Sequence, residues 1–146
     1  MLSASGNPRQ IQLTNDGEPI VVLREREMGF MLGNRTFKIS RSGTVSSVFK
    51  LTSEDSPLAT LEQVPFRNRY TLSFGGEEWG FQSASLTDTK FALEQAGERV
   101  GSISAKYFAR YKYIAIDLPD RLPIEVKAFL MWVVLWLWRW RSHESG

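Results

Sequence analysis

From Ala128 to Trp138 the chain runs eleven residues without a charge, and its only polar groups there are the indoles of Trp132, Trp136 and Trp138. Trp140 follows one arginine later. Helix start and stop signals frame the run. Pro123 suits a first helical position, Glu125 favours the positive end of a helix dipole, and Arg139 and Arg141 favour the negative end. These signals predict a helix over 123–140, about 27 Å long at the usual helical rise. Trp132, Trp136 and Trp140 make one aromatic stripe, and Val134 and Trp138 lie on the opposite side. A helix that is apolar all round has to be buried on every face, in a protein core or in a bilayer.

Length favours the core. A membrane-spanning helix needs about 20 predominantly apolar residues, and a run of roughly 10–14 marks a buried core helix more often. Reaching 17 positions by starting at Leu122 takes in Glu125 and Lys127. A surface position is the least favourable. The four tryptophans 132, 136, 138 and 140 bury roughly 600–1,000 Å² between them when enclosed, an upper bound of about 15–25 kcal/mol in transfer free energy. A tail-anchored membrane component, with 122–140 as the anchor, is the alternative reading.

The rest of the chain supplies a wall for such a helix. Turn residues recur at Asn15-Asp16-Gly17, Gly33-Asn34, Ser42-Gly43, Ser53 to Pro57, Arg67-Asn68, Gly75-Gly76, Ser85 to Asp88 and Ala96-Gly97. Between them lie β-branched or alternating runs such as Thr36 to Ser40, Val45 to Leu51 and Tyr70 to Phe74. Turn spacing of roughly 8–12 residues indicates sequential antiparallel hairpins. Ten or more strands closed into a barrel leave a lumen too wide for their own side chains to fill. The expected fold is therefore mostly β, a closed antiparallel barrel of about 10–12 strands around a central hydrophobic helix over residues 123–140. Residues 1–9 read as a flexible N-terminal tail, and 10–146 as a single barrel domain. No sequence-level repeat stands out.

Composition excludes several classes. At 146 residues, with 42% hydrophobic and 12% aromatic content, the chain has the make-up of one folded domain. It contains no cysteine, which fits a reducing, cytoplasmic setting, and Met1 to Pro8 carries no secretory signal. Net charge is +2, and acids and bases alternate along the chain, as in Arg24-Glu25-Arg26-Glu27. No basic run of the kind that nucleic-acid binders concentrate on one face is visible, so no nucleic-acid partner is expected.

No reaction chemistry stands out either. His143 is the sole histidine, Glu77 and Glu78 are sequence neighbours, and Glu54-Asp55 offers too few oxygens for calcium. Gly29 and Gly33 flank Phe30 to Leu32 with no helix after them, so they form no phosphate-binding fingerprint. The expectation is a non-enzymatic binding module with no catalytic residue, metal or cofactor. Its best surface candidate is the stretch Lys106 to Tyr113, where basic and aromatic residues interleave. Lys106, Tyr107, Arg110, Tyr111 and Lys112 could hold an anionic headgroup while rings enter an interface, with Arg67 and Arg69 joining them at one barrel mouth.

The segments Gly97 to Lys106, Tyr113 to Ile116 and Leu122 to Leu130 resemble the end of the LURP-one-related and phospholipid scramblase-like families. These belong to the tubby C-terminal-like superfamily, and the likeness covers about the last third of the chain. It implies a closed barrel around a hydrophobic C-terminal helix. The functions it implies are lipid binding, above all of anionic phospholipid headgroups, or a protein partner, with peripheral rather than integral membrane contact. The chain carries neither the cysteine cluster nor an Asp-x-Asp-x-Asp-Gly calcium loop of scramblases.

Overall fold

Pairs of residues in the left-handed region close four of the hairpins. Asp16-Gly17 (φ 51° and 87°), Glu54-Asp55 (51° and 64°), Gly75-Gly76 (60° and 80°) and Ala96-Gly97 (55° and 82°) all have the positive φ angles of two-residue type I′ turns. Gly33-Asn34 places only its first residue there, at 59°. Each turn fixes the register of its flanking strands, from Asn15↔Glu18 to Gln95↔Glu98.

A computed structural model describes residues 2–7, 9–24, 26–43, 46–84, 90–106 and 113–144, with side chains except those of 7, 106 and 139–144. Its strands are β1 (Leu2–Asn7), β2 (Gln10–Asn15), β3 (Glu18–Arg24), β4 (Gly29–Leu32), β5 (Arg35–Ser42) and β6 (Val48–Ser53). They continue with β7 (Ser56–Gln63), β8 (Arg69–Phe74), β9 (Glu77–Ser83), β10 (Lys90–Gln95), β11 (Glu98–Lys106) and β12 (Tyr113–Asp117), and the helix α1 (Ile124–Glu144) follows. All twelve strands form one antiparallel sheet in the order β3-β2-β1-β12-β11-β10-β9-β8-β7-β6-β5-β4. It is a nearly closed barrel, open along one seam between β3 and β4.

The helix fills the barrel. Every residue from Val126 to Leu135 is buried, and so are Leu137 and Trp138. The lumen is completed by alternate inward residues such as Ile11, Leu13, Phe49, Leu51, Leu61, Leu72, Phe81 and Ile103, none of which is exposed. Phe49 packs edge-on against both Trp132 (6.2 Å) and Trp136 (5.3 Å). The Pro123 carbonyl accepts the N–H groups of Val126 and Lys127, which starts the first turn. Among the described residues, no helix is long and apolar enough to cross a membrane.

One expectation is corrected. Residues 2–7 are not a loose tail; β1 lies within the sheet, paired with β2 (Leu2↔Asn15) and β12 (Leu2↔Ile116). Its inward residues Leu2 and Ala4 are buried, and ladders on both edges outweigh its weak strand composition. The fold also contains a structural repeat, with few sequence identities behind it. The stretches Leu13 to Leu23, Leu51 to Leu61 and Leu93 to Ile103 each form a two-residue hairpin with a bulge at the same place. The extra residue is Ile20, Leu58 or Val100, and each packs half-buried against the core. Such bulges increase local twist and help the sheet to curl. Pro19 and Pro57 sit at the bulges, where a missing N–H is tolerated. In the third copy the backbone oxygen of Asp117 would lie 2.6 Å from a Cβ at Gly101, so the Val100-Gly101 pair is set by packing.

Every odd-numbered strand is joined to the next at one end of the barrel, called here the loop end, and every even-numbered strand turns at the other, the tight-turn end. The helix enters at the tight-turn end and leaves at the loop end.

Leu130→Asp should yield no cooperatively folded protein by circular dichroism, because a buried unpaired charge costs several kcal/mol. Trp136→Asp should fold with a lowered Tm, since Trp136 is only half-buried and the Arg41 guanidinium lies 4.7 Å from its ring centre. Asp55→Gly should stabilise by about 1 kcal/mol and raise Tm by about 2–4 °C in a thermal melt, through relief of a left-handed non-glycine residue.

Candidate functional site

The two barrel ends differ in charge. The tight turns carry Asp16, Glu18, Glu54, Asp55, Glu77, Glu78 and Glu98, with Asp117 and Asp120 beside them. The loop end carries Arg9, Arg24, Arg26, Arg41, Arg67 and Lys90, with Glu27 and Glu62 as the nearby described acids. The backbone of Lys106 also ends there. Arg35, Arg99, Arg121 and Lys127 also lie at the tight-turn end, where acids outnumber them; acids and bases that alternate along the chain are thus partly separated in space, because a meander reverses ends with each strand.

Of the four exposed large apolar side chains among the described residues, all but Met31 lie at the same basic end. Phe66 is 89% exposed, Met28 47% and Tyr113 37%. Phe66 stands at the corner of the turn Val64-Pro65-Phe66-Arg67, closed by the Arg67 N–H donating to the Val64 carbonyl at 3.1 Å. Its φ of 62° belongs to the third position of a type II turn, where glycine or asparagine is the usual occupant. A bulky residue there is a backbone outlier. The Gln63 side-chain amide donates to the Arg67 carbonyl at 2.9 Å, and the Val64 N–H donates to the Arg69 carbonyl at 2.7 Å. The turn therefore holds Phe66 out on a braced loop.

The sequence-derived candidates divide. Arg67 is exposed beside Phe66 at the loop end. Arg69 belongs elsewhere: its guanidinium lies across Gly80 on the outer wall, in a hollow of about 220 Å³ that Glu78 and Glu94 also line. Tyr107, Arg110, Tyr111 and Lys112 lie outside the described residues, as does the Lys106 side chain. The residues they join, Lys106 and Tyr113, end at the basic mouth. Trp132 and Trp138 are core residues, Trp136 is half-buried under Arg41, and the side chain of Trp140 is outside the described set. The segment 106–113 was legible as basic and aromatic, whereas Phe66 was not. Its one sequence signal is a proline followed by an aromatic residue and Arg67-Asn68 in a turn.

Two further hollows are present. One, of about 380 Å³, lies at the tight-turn end between Asp117, Asp120, Pro123 and Lys127. The larger, about 720 Å³, runs along the β3–β4 seam and is lined by Val21, Val22, Met28, Phe30, Met31 and Phe37 among others. Beside it the Trp132 indole N–H donates to the Glu27 carbonyl at 3.0 Å, and the Ile39 N–H donates to the Met28 carbonyl at 3.0 Å. These bonds fasten the short connection between β3 and β4 to the helix and to β5. Among the described residues no three His, Cys, Asp or Glu side chains converge as a metal site.

Trp132→Phe removes the indole donor while keeping a ring beside Phe49. It should cost about 1–3 kcal/mol in denaturant unfolding, and the Ile39 amide should exchange faster than its neighbours on β5 in hydrogen exchange. Comparison with family profiles, curated proteins and solved structures finds no match to this chain.

Proposed function

We propose that this protein is a non-enzymatic binding module that docks peripherally on anionic phospholipid surfaces through the loop end of its barrel. The observation that carries the reading is Phe66: a large apolar side chain, almost fully exposed, in a backbone conformation it disfavours, next to Arg67 at the basic end. Neither the exposure nor the strain serves the fold, and strain of this kind collects at functional sites. Exposed rings that enter the headgroup boundary, beside arginines that meet phosphate, are the two parts of an interfacial anchor. Each base near an anionic surface contributes about 1 kcal/mol, and the acidic tight-turn end sets the orientation by facing away. The basic and aromatic composition of 106–113, joined to the same mouth, extends the surface. The likeness of residues 97–130 to the scramblase-like and LURP-one-related families supports the same class of ligand.

Phe66→Asn tests the reading because it moves two quantities in opposite directions. Asparagine tolerates the left-handed region, so stability should rise by about 0.5–1 kcal/mol. Flotation with vesicles containing phosphatidylserine or phosphoinositide should fall several-fold. Arg67→Ala should weaken flotation by about fivefold, and raising salt should weaken it in both forms. Wild-type protein that floats equally with neutral and anionic vesicles, or not at all, would defeat the proposal.

A further inference from the structure

A helix leaves its first N–H groups without internal partners, and a side-chain oxygen at the capping position commonly takes them. In α1 that position is Pro123, which has no such oxygen, and its carbonyl accepts the N–H groups of Val126 and Lys127. The N–H groups of Ile124 and Glu125 stay open at the positive end of the helix dipole. They face the hollow of about 380 Å³ at the tight-turn end, which Pro123 and Ile124 line. Lys127 lines it too, one turn into the helix. It is 9% exposed, and among the described residues its side chain has neither an ion pair nor a hydrogen bond. Trp79 Nε1 is the one side-chain polar atom sealed from solvent without a partner among the described residues, so the Lys127 ammonium reaches the open space of the hollow.

Two carboxylates share that space. Asp117 and Asp120 line the same hollow, and among the described residues neither forms an ion pair. Opposite charges thus open on one cavity without meeting. Arg121 does not enter it, being bonded to the Gln95 side-chain oxygen and placed over the Trp79 ring. The floor is aliphatic, made by the buried Leu2, Ile116, Leu118 and Leu122. A bare anion would meet the two carboxylates here, and a bare cation would meet Lys127 and the positive end of the helix. A metal ion would lack a third acid, since no three acidic side chains converge among the described residues. The arrangement matches a small molecule that carries both charges close together on a short apolar body. The hollow falls at the small end of the range for ligand pockets, roughly 300–1,000 Å³.

We propose that this hollow is a second binding site, which takes a free α-amino acid with an apolar side chain. The ligand's carboxylate accepts from the Lys127 ammonium and from the open N–H groups of the first helical turn. Its ammonium donates to Asp117 and Asp120, and its side chain lies on the aliphatic floor. Charge-assisted bonds at both ends of the zwitterion supply the recognition. The site lies at the opposite end of the barrel from Phe66 and uses no residue of the loop end, so it is independent of lipid docking. On a docked molecule it faces away from the membrane, open to dissolved amino acids.

The test titrates L-leucine into the isotope-labelled full chain and follows the backbone amide signals. Those of Ile124 and Glu125 should shift and saturate. L-Leucine methyl ester lacks the carboxylate and isocaproate lacks the ammonium, and each should bind about tenfold more weakly through loss of charge-assisted bonds. Glycine leaves the floor uncovered and should also bind about tenfold more weakly. Lys127→Met removes the ammonium while an apolar stem still fills the space. It should fold with a Tm at or above that of the wild type and lose about tenfold in leucine binding. Asp120→Asn, at an exposed position, gives a second variant should Lys127→Met fail to fold, and it should weaken leucine binding to a similar degree. Vesicle flotation should stay unchanged in both. Any of four results would overturn the proposal: no saturable shift with leucine, ester or isocaproate binding as tightly as leucine, inorganic phosphate alone producing the same shifts, or leucine binding unchanged in both variants.

Discussion

Burying a helix that has no polar side needs a wall around its whole circumference, and that need governs this fold. Val126 to Leu135 offer nothing to water on any face, so the strands must surround them. Twelve strands make a lumen that inward Leu, Ile and Phe side chains alone would leave unfilled. Helix and wall are each unusable without the other, and their shared interface contains nearly all the large buried side chains. The outer surface is thereby released from packing duties, and variation there need not cost the fold.

The wall is built by repetition. Three bulged hairpins, each starting at a leucine and with its extra residue leaning on the core, supply curvature at regular intervals around the barrel. Because the chain is a meander, its connections fall alternately at two ends. One end has two-residue turns rich in acids; the other has mostly longer connections, and is rich in arginine. The charge separation follows from this topology, with no basic run anywhere in the chain.

Much of this was legible in the sequence. Asn15-Asp16-Gly17, Gly33-Asn34, Gly75-Gly76 and Ala96-Gly97 each mark a hairpin, because left-handed turns admit few residue types. The apolar run declared its own burial. What stayed hidden depends on relations rather than residue types. Leu2 to Asn7 has the composition of a tail, and only pairing on both edges makes it a strand. The repeat shares few identities beyond its leucines and two prolines, so it emerges when bulges are aligned. Phe66 looks like a core aromatic until its φ of 62° shows which way the chain turns. The segment 106–113 could be recognised by composition, but its partner Arg69 could not be placed, because its direction depends on a glycine on the neighbouring strand.

The pairing of β1 with β12 sets the order in which this protein can assemble on the ribosome. Leu2 meets Ile116, and the axle of the barrel follows both in the chain. Until those last residues emerge, the inward faces of the earlier strands have no partner and the first strand can be held on one edge only. Contacts of such long sequence separation slow folding and prolong the exposure of apolar surface. The earlier strands therefore keep their apolar faces uncovered until the helix enters the lumen, which makes that entry the step that closes the core.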